Sequence, residues 1–212
     1  MKWEVDVVSM SFGFPQKDHL ISDAIAEVKK YRNGAIIFLA SPGNDSNSPE
    51  AYPARDDNVI SIFGTSSTGK FLETNPYPWN QTQFSLGTYG DNIPERILVD
   101  IRERFPEFDL NSGTSVATAV AAGIAGVMLA YAALLPHVLE VADNIHKVCD
   151  VYPELKTTEG MRCMLKGMAP VKNGDQYFVN PIAFWKDTRG SKSKDVAMLR
   201  KILRELPTPL SE

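Results

Sequence analysis

The chain has 212 residues, 43% of them hydrophobic and 23% charged, enough apolar matter for one globular domain with a real core. Its formal net charge of -4, with acids and bases interspersed, leaves no basic stripe that could track phosphates, which excludes nucleic acid as an expected partner. Two cysteines, Cys149 and Cys163, are too few for a disulfide scaffold and lack metal-ligand spacing; with no leader-like segment near Met1, they read as thiols of a reducing, cytoplasmic compartment.

The β-branched run Val5 to Met10 predicts a strand that exits at Ser11-Phe12-Gly13. Asp18 is placed to cap a helix whose apolar positions Leu20, Ile21, Ala24, Ile25, Val28 and Tyr31 recur at helical spacing. Lys29, Lys30 and Arg32 close its last turn and Gly34 follows. Ala35 to Ala40 is apolar without alternation, the mark of a strand buried on both faces. Strand, helix and strand therefore predict a right-handed βαβ unit in a parallel sheet, with a further strand at Asn58 to Phe63. From Gly64 to Leu110 the chain is polar and dotted with Pro76, Pro78 and Pro94, which predicts loops and edge elements, with one short strand at Ile97 to Asp100.

Val116 to Leu135 passes without a charge at a length that spans a bilayer. Its Ala and Gly content, and the distance of the flanking basic residues Arg104 and Lys147, favour a buried core helix instead, so no membrane partner is expected. His137 to Val148 and Thr158 to Gly167 read as helices, and Asn173-Gly174 as a type I′ hairpin turn. After Lys186 the chain is charged, and Val196, Leu199, Ile202, Leu203 and Leu206 pattern a short amphipathic helix. The expected fold class is α/β, a parallel sheet with flanking helices over residues 1–185, followed by a tail over 186–212.

Two segments can carry chemistry. Asn111 to Gly123 puts Ser115 where a loop enters the long apolar helix, facing unpaired backbone N–H groups and the positive end of the helix dipole. Gly113 allows close approach and Thr114 is a capping residue. Ser41-Pro42-Gly43-Asn44-Asp45 directly follows a buried strand, at the carboxyl end where α/β sheets bind ligands, and Asn44 can aim an amide at a developing oxyanion. Each segment taken alone reads more readily as a helix cap or a turn than as a site. A third, Gly64 to Lys70, matches the spacing of a phosphate-binding loop, but Phe71 stands where a hydroxyl belongs, and Pro76 and Pro78 replace the helix that would meet phosphate.

The order of the blocks decides between these readings. Ser11-Phe12-Gly13, Gly43-Asn44, Tyr52-Pro53-Ala54, Phe84-Ser85 and Gly113-Thr114-Ser115 follow one another as in the subtilisin-like serine peptidases, which the chain resembles over about Val5 to Leu129. The resemblance implies a serine endopeptidase acting on peptides or proteins through an acyl-enzyme, without cofactor or metal assignable here. Ser115 is then the nucleophile, Asn44 and the Ser115 N–H the oxyanion hole. Ser11, Phe12, Gly13 and Ser41, Pro42, Gly43 become the walls of the specificity pocket.

The departures carry weight too. The Asp-Ser/Thr-Gly and His-Gly-Thr blocks that precede these in the family are not in the chain, and none of His19, His137 and His146 is followed by Gly-Thr. Ala119 replaces the usual proline of the nucleophile helix, and Pro42 a small residue of one wall. The expectation is a truncated, intracellular peptidase, inactive as this chain, joined to further domains of a longer one; the alternative is a pseudo-peptidase that binds peptides without cutting them. Sedolisin-like peptidases share Gly-Thr-Ser but carry aspartate at the oxyanion position, which Asn44 argues against. A lost N-terminal segment also implies an uncovered sheet edge and self-association.

Overall fold

The computed structural model describes residues 4–80, 84–91, 113–138, 151–186 and 194–207. The first strand, β1 (Val7–Met10), lies parallel to β2 (Ile37–Ala40), Val7 beside Ile37 and Met10 beside Ala40. Between them runs α1 (His19–Tyr31), capped as its sequence implies: the Asp18 carboxylate accepts the Ile21 N–H at 3.1 Å. Its end is a Schellman motif one residue earlier than the glycine suggests. Asn33 takes the left-handed position at φ 50°, and the N–H groups of Asn33 and Gly34 donate back to the carbonyls of Lys30 and Lys29.

The sheet continues in parallel through β3 (Val59–Thr65) and β4 (Ser85–Tyr89). The order is completed by a hairpin of β5 (Val171–Asn173) and β6 (Gln176–Phe178), β6 pairing parallel to β4. The hairpin forms where expected, but its two-residue loop is Gly174-Asp175 rather than Asn173-Gly174. Only Gly174 has positive φ, at 58°, which fits a type II′ turn and not the type I′ turn read from the dipeptide.

Both faces of the sheet are covered, which is why β2 shows no alternation. Ile36, Phe38 and Ala40 pack with Ile25 of α1 and Val59. Ile37 and Leu39 join Ile60 and Ile62 on the other face, beneath the 25-residue helix α2 (Thr114–Val138). Helix α2 presents Ala117, Ala121, Ala125 and Ala132 to the strands, so the uncharged segment is a core helix lying close on the sheet. Helix α3 (Thr158–Gly167), capped by Thr157, matches its predicted limits. A short α4 (Pro181–Lys186) follows β6, and the expected amphipathic helix is α5 (Lys194–Glu205), whose Met198, Leu199 and Ile202 join the main core. The predicted strand at Ile97 to Asp100 and most of the predicted helix His137 to Val148 lie outside the described residues.

Two features leave apolar structure uncovered. Among the described residues β1 has a neighbour on one side only, and α2 exposes Val127 and Leu134 on the side away from the sheet. One ionic cluster ties the base of the domain together: Asp6, just before β1, pairs with Arg32 and Lys156, each at 2.8 Å.

Candidate active site

The start of α2 and the end of β2 meet through Thr114, which is fully buried. Its N–H donates to Asn44 Oδ1 at 2.9 Å, while its hydroxyl lies 2.6 Å from the Ser41 hydroxyl and 2.9 Å from the Gly43 carbonyl. A threonine hydroxyl has one proton to give, so the set is satisfied when Ser41 donates to Thr114 and Thr114 donates to Gly43. The effect on Asn44 is specific. With Oδ1 held by a backbone N–H, the amide is oriented, and its Nδ2 makes no hydrogen bond among the described residues and stays available as a donor.

Glycine is required at position 113 because a Cβ there would stand 2.9 Å from both terminal atoms of the Asn44 amide. The Gly113 N–H donates to the Gly90 carbonyl at 2.7 Å, fixing the entry to α2 against the end of β4. Ser115 then falls in the first helical turn, where backbone N–H groups lack intrahelical acceptors. It is half-buried, and its hydroxyl makes no hydrogen bond among the described residues. Its carbonyl accepts the Ser11 hydroxyl at 3.1 Å, which joins the end of β1 to the same site. His19 is exposed on the first turn of α1 and His137 lies in the last turn of α2; neither bonds to Ser115, and His146 lies outside the described residues.

The two segments read as pocket walls are brought together by a third that the block order alone did not reveal. Residues 51 and 52 run between them: the Ala51 N–H donates to the Pro42 carbonyl at 2.8 Å, and Tyr52 exchanges two backbone hydrogen bonds with Phe14. Gly13 backs onto the Ala51 methyl, which a Cβ at position 13 would meet at 2.7 Å. Ser41 is buried beneath this floor, Gly43 turns with φ 109°, and Phe12 remains exposed, in edge contact with Phe14 at 6.0 Å. The only advance signal for Ala51 was its place beside Tyr52-Pro53.

Asp45 takes no part in holding Asn44 or Thr114. Its carboxylate is drawn into its own turn, accepting the Asn47 N–H at 3.0 Å and the Ser48 hydroxyl at 2.6 Å, and these bonds hold its pKa below the ordinary carboxylate value. The Gly64 to Lys70 segment likewise has a structural use: Gly64 and Thr65 end β3, Asn75 bonds both the N–H and the carbonyl of Gly64, and the chain beyond Lys70 is not helical. Among the described residues no group of three or more His, Cys, Asp or Glu side chains could hold a metal ion.

A family model described as the subtilase family matches residues 2–143. The chain belongs to the subtilase family. Among curated proteins, this subtilase is similar to the subtilisin-like protease het-Q2 of Podospora anserina, at 21% identity over 91% of this chain and 52% of that protein. It is also similar to the minor extracellular protease Epr of Bacillus subtilis (strain 168), at 31% identity over 57% of this chain and 17% of that protein. The chain thus spans about half the length, or less, of these relatives. Among solved structures, the patellamide maturation protease PatA superposes with a TM-score of 0.54 at 16% identity, over 93% of this chain and 64% of that one. The prenylagaramide maturation protease PagA gives 0.54 at 14%, over 97% and 63%. Both share the fold.

Proposed function

We propose that this subtilase chain carries the nucleophile and oxyanion-stabilising part of a serine endopeptidase site. Membership of the subtilase family supports serine peptidase chemistry, and the observation that carries the finer reading is the Asn44 amide, held through Oδ1 by the Thr114 N–H so that Nδ2 is free to donate beside Ser115. In the reaction, the Ser115 hydroxyl attacks a peptide carbonyl and its proton passes to an imidazole. The negative charge that develops on the carbonyl oxygen is met by Asn44 Nδ2–H and the Ser115 N–H, and the same proton then leaves with the amine. Water releases the acyl group by the same steps. In subtilisin, removing one such donor costs about 10²–10³ in turnover.

Among the described residues no imidazole is bonded to Ser115. In subtilisin, loss of the histidine lowers turnover by about 2 × 10⁶, so the chain alone behaves as a folded site with an ordinary alcohol at Ser115. The test is labelling by a fluorophosphonate probe. The isolated chain is expected to stay unlabelled, and adding a segment that carries the Asp-Ser-Gly and His-Gly-Thr blocks is expected to restore labelling that Ser115→Ala abolishes. Rapid labelling of the chain alone, lost in Ser115→Ala, contradicts the inactivity. Failure of the complemented chain to label, with extended peptides still bound, replaces the reading by a peptide-binding one.

A further inference from the structure

A second concavity lies on the β3 side of residues 49–52, a cavity of about 540 Å³ bordered by Glu50, Ser61, Phe63, Trp79 and Arg162 and by none of the six pocket-wall residues. Glu50 is the unusual member. It is only 8% exposed, and its carboxylate has no cationic partner among the described residues. The buried Ser61 hydroxyl stands beside it and meets no other polar partner among the described residues. Buried carboxylates are found paired, because an isolated one forfeits its hydration with nothing in return.

The basic residues that border the cavity are already committed. Arg162 gives one nitrogen to Glu159 at 2.9 Å and the other to the carbonyls of Asp57 and Val59, each at 3.2 Å. Arg55 donates to the Pro15 carbonyl at 2.9 Å and lies 4.4 Å over the Trp79 ring. Asp56, Asp57 and Glu159 add carboxylates to the same lining, so acids outnumber the two arginines. The aromatic walls are Phe63 and the exposed Trp79, whose ring already receives the Arg55 guanidinium.

We propose that this cavity is a binding site for an organic cation, a guanidinium or primary ammonium group seated on Glu50 with the Ser61 hydroxyl as second acceptor. Burial pushes the Glu50 carboxyl up to about 7, with Ser61 offsetting part of the rise, so near neutral pH an entering cation releases a proton from Glu50 to solvent. The recognition chemistry is the same for a free amine and for a lysine or arginine side chain of a bound peptide. Ser115 takes no part, so the site stands or falls independently of the peptidase reading.

Calorimetric titration of the full chain with agmatine, with a blocked arginine tripeptide and with its citrulline counterpart tests this, since citrulline keeps the shape and lacks the charge. Both charged ligands are expected to bind with proton release, and the citrulline peptide to bind about tenfold or more weakly. Glu50→Gln should weaken the charged ligands by about tenfold or more, Ser61→Ala by less, and Ser115→Ala not at all. Near-UV circular dichroism establishes that each variant is folded. Whichever charged ligand binds more tightly identifies the source as free amine or peptide side chain. Equal binding of arginine and citrulline peptides, undiminished binding by folded Glu50→Gln, or no binding of either charged ligand up to about 1 mM overturns the proposal.

Discussion

Replacing Glu50 by glutamine should change how stability depends on pH. The folded carboxyl titrates at about 7 against an ordinary 4.5, with desolvation as the main cause. Below about pH 4.5 both folded and unfolded chains hold the proton, and the group favours neither. Between 4.5 and 7 the unfolded chain loses the proton while the folded chain keeps it, so stability falls as pH rises, by about 1.4 kcal/mol per pH unit. Above 7 the folded protein contains an unpaired buried carboxylate, and the accumulated loss is about 3 kcal/mol. Glutamine has nearly the same volume and no charge, so Glu50→Gln should match the parent near pH 4.5 and exceed its stability by about 3 kcal/mol at pH 8. Urea unfolding of parent and variant at several pH values, compared as a difference, cancels every other titrating group. A difference independent of pH would refute the burial argument. Saturating agmatine should flatten the parent's slope and leave the variant's unchanged, because a bound cation lowers the folded carboxyl's pKa.

Other consequences follow from the same geometry. Thr114→Val leaves the buried Ser41 hydroxyl and the Gly43 carbonyl without their partner and should cost about 1–3 kcal/mol in urea unfolding; a loss under about 0.5 kcal/mol would show the network to be incidental. Gly113→Ala puts a methyl against the Asn44 amide, so in a complemented, active peptidase it should lower kcat by about 10²–10³ with little change in KM, as Asn44→Ala should. Burial and the neighbouring Glu159 push the Cys163 thiol up to about 11, so in a Cys149→Ser background iodoacetamide should modify it slowly at pH 7.5, and fast alkylation there would contradict the packing. The edge of β1 that no described strand pairs with, and Val127 and Leu134 exposed on α2, should make the chain self-associate in sedimentation, and a monodisperse monomer at high concentration would count against it.

Some of this protein is written locally. The run from Ala35 to Ala40, the Asp18 cap, the limits of α3 and the amphipathic stripe of α5 follow from periodicity, capping and burial pattern, which act within a few residues of chain. The positions of Ser115 at a loop-to-helix junction and of Asn44 in a turn after a buried strand were legible for a related reason: both are local events. Even so, local signals erred by a residue where two turn chemistries compete, as at Asn173-Gly174 and at Asn33.

Only tertiary structure decided which residues meet across separate segments, up to 104 positions apart in the chain. That Thr114 clamps Asn44, that Ser11 reaches the Ser115 carbonyl, and that Ala51 closes the space between two walls depend on how β1, β2 and α2 converge. Glu50 is the clearest case. A glutamate between Pro49 and Ala51 carries no sequence mark of burial, since the same residues in an exposed turn would be unremarkable. Its neighbours Ser61, Trp79 and Arg162 arrive from three separate segments, and the desolvation that raises its pKa arises only when they pack together. Local patterning sets which segments become helix or strand, because those choices rest on near-neighbour energetics. The electrostatic state of a side chain is set by whatever surrounds it in space, and that the tertiary fold decides.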